Sequence, residues 1–404
     1  MIYLKTNINS LIFKTILFLI VLKLVFSYLT VEHGWWLRDI PTNAERFNIF
    51  NVSPNFSNQL DFLITPLLGL FLLKRIRRLK QFNVVLGLIG FMFLLNLFTA
   101  FYNGVGILDS VKTTLKIITP ILLFYSFLIF YENDKAKAKK VMVFFIKLCV
   151  VLTIIGLIFF HNSVNRATEQ WPVYFAGIHT HSYVITSIFI GISYLIYQKN
   201  NVVLLFIFLI TSFLILQIGW GIRTAVIFYL VFILSMLFVK HAFFKYMIFK
   251  VLFFLPIIIF LGILISDTDA LNKFSSGRLD MYSDKLKLLF NSSIFDFLLG
   301  KGYGSDLITT ETWWWKEKGS HSDFITFVFE NGILYLLSFI GLILSLLKNK
   351  KFPNIIILSL LTGYLISSVI SNGMAIRPLA AYVFFIVLGY IYLSTYDSKT
   401  IFNE

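Results

Sequence analysis

The chain has 404 residues, of which 58% are hydrophobic and only 14% charged, with a net charge of +15 and a mean hydropathy of +0.83. Soluble domains carry roughly 25% charged residues, so this composition excludes an ordinary globular fold. The basic excess gathers in short loops between apolar runs, a pattern set by membrane orientation, so it argues against a nucleic-acid partner.

Apolar runs of the length that crosses a bilayer recur along the whole sequence, which predicts an all-α polytopic membrane protein with a single integral membrane domain over 1–404. Short alternating segments, the mark of a membrane β-barrel, are missing. The first predicted span covers 11–31. A loop follows with Trp35 and Trp36 as candidate interface anchors. Further spans fall near 60–73, 82–101, 111–130, 141–160, 177–197, 201–218, 222–239 and 246–265. The last three lie near 332–347, 354–371 and 376–394, which makes about twelve helices. Basic residues crowd 74–80, 133–140, Lys240 with Lys245, and 348–351, whereas 102–110 has none and 30–60 has only Arg38 and Arg46. The positive-inside rule then puts both termini in the cytoplasm and the long polar loop, 266–331, on the outer side. The single Cys149 allows no intramolecular disulfide.

Within the long loop, Ser276 reads as an N-cap, and Leu279, Tyr282, Leu286 and Leu289 fall on one face of an amphipathic helix. Arg278 then sits in the first turn, where the helix dipole disfavours a cation unless an anion is near. A solvated surface arginine is the plain alternative. LLGKGYG at 298–304 marks turns, and SHSDFITFVFENG at 320–332 reads as a short surface helix that Gly332 turns into the next span. His321 opens that segment, with Asp323 and Glu330 as candidates to hold its ring in one tautomer. A histidine that only packs at the boundary is the plain reading. Arg223, in GWGIRTA, is costly against lipid and faces a cavity or snorkels to headgroups. Lys23, Lys112, Lys116 and Arg377 pose the same question. His179 and His181 at i, i+2 point to different helix faces, which speaks against a metal site. Trp313, Trp314 and Trp315 suit an interface belt or sugar stacking.

GIRTA, the GR pair at 277–278, LLGKGYG and SHSDFITFVFENG, in this order and spacing, resemble the O-antigen ligase/polymerase superfamily, which comprises WaaL-like ligases and Wzy-type polymerases. The resemblance covers about residues 215–345. Ser322 stands where that family usually has Asn, and Gly221-Ile222 precede Arg223 where Ser is common. The resemblance implies a GT-C-like glycosyltransferase in the bacterial inner membrane, with its site on the outer face. The implied donor is a glycan on undecaprenyl diphosphate, and the acceptor of a polymerase is another lipid-linked repeat unit. Arg223 and Arg278 would bind the diphosphate and His321 would act as base in an inverting transfer, with neither metal nor cofactor. Membrane lipids and a chain-length regulator are the further partners implied. A ligase passing glycan to lipid A core or protein is the first alternative, and a lipid or polysaccharide flippase the second.

Overall fold

The computed structural model describes residues 2–29, 59–73, 82–159, 177–220, 222–239, 278–311, 313–347 and 354–396. The predicted span near 246–265, the loop with Trp35 and Trp36, and Ser276 lie outside them. So do Lys240, Lys245 and the basic loops 74–80 and 348–351. Every other predicted span falls on a described helix. These are α1 (Ile2–Leu29), α2 (Asp61–Leu72), α3 (Phe82–Tyr102), α4 (Ile107–Phe130), α5 (Lys135–Phe159), α6 (Gly177–Gln198), α7 (Val202–Ile215) and α8 (Arg223–Val239). A π turn, Leu216–Trp220, extends α7. The long loop carries α9 (Arg278–Phe290) and α10 (Ile294–Leu299), and α11 (Asp323–Ser345), α12 (Ile355–Ile370) and α13 (Pro378–Thr395) complete the chain. Among the described residues there is no strand, and a lone bridge joins Ile308 to Lys318.

Six of these helices are long and apolar enough to cross a membrane, and four shorter apolar helices accompany them. The chain is therefore a helical membrane protein. Its centre is α13, whose residues from Leu379 to Leu393 are all buried. A helix apolar on every side is stable only when other helices surround it, and α13 packs against α4, α5 and α6. Pro378 at the first helical position supplies a preset φ where no amide donor is needed. A buried ion pair crosses this apolar interior: Lys23 Nζ donates to Asp61 Oδ2 at 2.8 Å, and the Tyr382 hydroxyl donates to Asp61 Oδ1 at 2.8 Å. It ties α1, α2 and α13 together and accounts for Lys23. Lys112 instead meets Asp109 at 2.9 Å on the surface.

The long loop packs onto α11, which breaks at Gly332 (φ 81°, ψ 169°). A Cβ at Gly332 would run into the Leu298 carbonyl, so the break is where α10 seats against α11. Lys301 N and Gly302 N donate to the carbonyls of Phe329 and Glu330 at 2.8 and 3.0 Å, which satisfies groups the break would strand. From the other side, Asn96 of α3 donates to Asn331 Oδ1 at 2.7 Å.

The amphipathic helix forms as α9, but its inward face differs from expectation. Met281, Lys285 and Leu289 are buried, while Leu279 and Leu286 are exposed. The helix is turned by the burial of Lys285, whose charge finds partners that apolar periodicity does not register.

Candidate functional site

Four helices, α6, α8, α11 and α13, begin at the same end of the bundle, and α12 finishes there. Contacts among their ends define the region. Arg377 Nη1 donates to Thr180 Oγ1 at 3.0 Å, Tyr183 Oη to Thr224 Oγ1 at 2.9 Å, and Ser322 Oγ to the Val369 carbonyl at 2.8 Å. Helix N-termini carry partial positive charge, so their convergence favours an anion.

The segment Ser371–Asn372–Gly373, between α12 and α13, knits the region together. Arg278 Nη1 donates to Ser371 Oγ at 3.0 Å. Arg377 Nε donates to the Asn372 carbonyl at 3.2 Å, and Gly373 N donates to Asp323 Oδ2 at 2.9 Å. Three charged side chains from three parts of the fold thus clamp three consecutive residues.

His321 lies against this clamp with its Nδ1 3.5 Å from Asn372 Nδ2. Its backbone is left-handed, φ 55°, a conformation uncommon outside glycine and one that surrounding structure must hold. The hold is visible on both sides. Ser320 is fixed by Asp306, whose Oδ2 accepts from Ser320 N at 2.8 Å, Ser320 Oγ at 3.0 Å and Thr326 Oγ1 at 2.8 Å. Ser322 caps α11 by accepting from Ile325 N, and the Tyr282 hydroxyl donates to the His321 carbonyl at 3.2 Å. Behind Asp306 stands Lys285, wholly buried, whose Nζ donates to Asp306 Oδ1 at 2.8 Å, to the Asp306 carbonyl at 2.6 Å and to the Lys318 carbonyl at 2.8 Å.

Burial lowers the His321 ring to about 4, and Arg278, Lys318, Lys285 and Arg377 add to the effect by opposing a further positive charge. The imidazole is therefore neutral through the neutral pH range, with one nitrogen lone pair available.

The structure brings Arg278 and His321 together at one end of the bundle. Arg223 opens α8 at the same end and is exposed, and its neighbour Thr224 ties it to α6, but it is not among the cations acting on the ring. The two carboxylates expected to steer the ring engage backbone instead: Asp323 takes the amide of Gly373, and Glu330 Oε1 takes that of Gly304 at 2.9 Å. The side chain that faces the ring is that of Asn372. His181 is buried within α6, and among the described residues no group of three or more His, Cys, Asp or Glu is arranged to hold a metal. Trp314 and Trp315 are exposed on the loop, while Lys318 Nζ stands 3.2 Å from the Trp313 ring centroid.

Sequence reasoning passed over Asn372 and Ser371 and left Arg377 between facing a cavity and snorkelling to headgroups. A signal was present: Ser-Asn-Gly stops one apolar run and Arg-Pro starts the next. No family model, curated protein or solved structure matches this chain.

Proposed function

We propose that the chain is a polysaccharide polymerase of the O-antigen, capsule or exopolysaccharide kind. It would transfer a glycan from undecaprenyl diphosphate to the end of another lipid-linked repeat unit. The observation that carries this reading is a neutral histidine in a strained, held conformation beside Arg278, where four helix N-termini converge. In this reading the chain is a GT-C-like membrane domain of about twelve spans. Its site faces outward from the bacterial inner membrane, both termini are cytoplasmic, and a chain-length regulator is a candidate partner.

Arg278 and Arg223 bind the donor diphosphate, which suits the planar guanidinium fork. His321 takes the proton of an acceptor hydroxyl as its oxygen forms the new bond to the anomeric carbon, with inversion. The bond to diphosphate breaks, its electron pair leaves with the phosphate oxygen, and the arginines stabilise the charge that develops. A ring at about 4 is a weak base with only the protein's own charges around it. A bound diphosphate offsets the cations around it and raises its basicity, so proton transfer is favoured once the donor is seated.

The test is reconstitution in liposomes with a defined undecaprenyl-diphosphate repeat unit. Lengthened carrier-linked glycan is expected, falling about 10²–10⁴-fold in His321→Ala, the usual worth of general-base help. Arg278→Lys should restore only part of what Arg278→Ala loses, since an ammonium is a point charge. Transfer to lipid A core would identify a ligase, and movement of substrate across the bilayer without lengthening a transporter. Normal polymer from both alanine variants would overturn the site.

A further inference from the structure

We infer that Asn372 is the positioning residue that fixes which ring nitrogen of His321 carries the proton. Its amide faces Nδ1 at 3.5 Å. A carboxamide offers a donor nitrogen and an acceptor oxygen at nearly the same place, so the orientation of the amide and the tautomer of the ring are set together. The pair is 51 residues apart in sequence, and each partner is immobilised independently. Asn372 is held through its carbonyl by Arg377 and through its neighbours by Arg278 and Asp323. His321 is held through its carbonyl by Tyr282 and through Ser320 by Asp306. Two side chains on such fixed backbones meet with little conformational freedom left to lose, the condition under which one contact can select a tautomer.

A neutral partner also fits the charges around the ring. Arg278, Lys285 and Tyr282 approach from α9, Lys318 from the loop, Arg377 from the start of α13 and Asp323 from the start of α11, with Asp306 behind Ser320. A carboxylate in place of Asn372 would pull a proton onto the ring. An amide orients the ring and leaves it neutral.

The effect on turnover rests on the glycosyltransfer reading, whereas the tautomer is measurable without it. Full-length protein in nanodiscs, with ¹⁵N-labelled histidine, gives ring nitrogen shifts that distinguish the tautomers, and His321→Gln identifies the His321 signals. We expect a single tautomer in the wild type and a mixture in Asn372→Ala. In Asn372→Asp the titration midpoint of His321 should rise by roughly one to three units, the usual effect of an adjacent carboxylate. A packing role would leave the ring shifts of Asn372→Ala unchanged, whereas the Asn372→Asp midpoint reports that the two side chains are adjacent. Unchanged ring shifts in Asn372→Ala overturn the inference. If that variant does not fold, an unmoved midpoint in Asn372→Asp overturns it. Identity of the tautomer bears on the reaction separately. Proton on Nδ1 leaves Nε2 as a base, whereas proton on Nε2, still dependent on Asn372, upholds the positioning role and removes general-base catalysis by Nε2.

Discussion

Replacing Lys285 by Met tests whether the buried ion pair holds the loop that carries His321. Lys285 is wholly buried, and its three ammonium protons are all engaged, with the Asp306 carboxylate at 2.8 Å and two carbonyls at 2.6 and 2.8 Å. Methionine fills most of the volume but donates nothing. Breaking a buried pair by removing one partner costs about 3–5 kcal/mol, because the remaining charge stays desolvated. Asp306 keeps three donors from Ser320 and Thr326, which draws that part toward the lower end. The Asp306 carbonyl keeps the Ile308 amide at 3.1 Å, so only the Lys318 carbonyl is stranded, which adds about 1 kcal/mol. A local loss of about 4 kcal/mol corresponds to amide exchange about a thousandfold faster wherever the loop opens locally. Hydrogen exchange over 306–320 reads this directly, alongside the melting temperature in detergent. In Lys285→Met/Asp306→Asn both charges are gone while Ser320 and Thr326 keep an acceptor, so protection should partly return. Wild-type exchange in Lys285→Met, or a double variant as exposed as the sum of the single ones, would refute the reasoning.

Gly332→Ala should cost several kcal/mol and sharply reduce the yield of folded protein. The new methyl meets the Leu298 carbonyl and the backbone has φ 81°, a position where an alanine is strained whatever the space; size-exclusion chromatography of a fluorescent fusion checks it. Asp61→Ala should destabilise the bundle by about 3–5 kcal/mol, whereas Lys23→Met/Asp61→Leu should regain most of that loss in a thermal melt, since no unpaired charge remains buried. The His321 ring sits at about 4, below its ordinary 6.5. As pH falls from 6.5 toward 4 the unfolded chain takes up the proton first, so stability is full above this window and declines by about 3 kcal/mol through it. The melting temperature of His321→Gln should lack that part of the acid slope.

Much of the architecture is written locally. Apolar run length located the helices, because a bilayer-crossing helix must satisfy its backbone within itself. Gly332 marked the break in α11, since glycine alone is comfortable there. Arg278 and His321 stood out in the sequence as a cation and a titratable ring at the starts of helical segments of the long polar loop, and the fold sets them near one end of the bundle. What lay beyond reach depended on pairs distant in sequence. The face of α9 turned because Lys285 found Asp306 across the loop, an electrostatic choice with no periodic trace. Asp323 and Glu330 stood close to His321 along the chain yet took backbone amides, because the turns at Gly373 and Gly304 present donors nearer than the ring. The residue that does face the ring, Asn372, comes from a loop between two later helices. Only the packing of α12 against α11 and of α13 against α12 decides that they meet, since hydropathy fixes where a helix begins and carries no record of which ends come together.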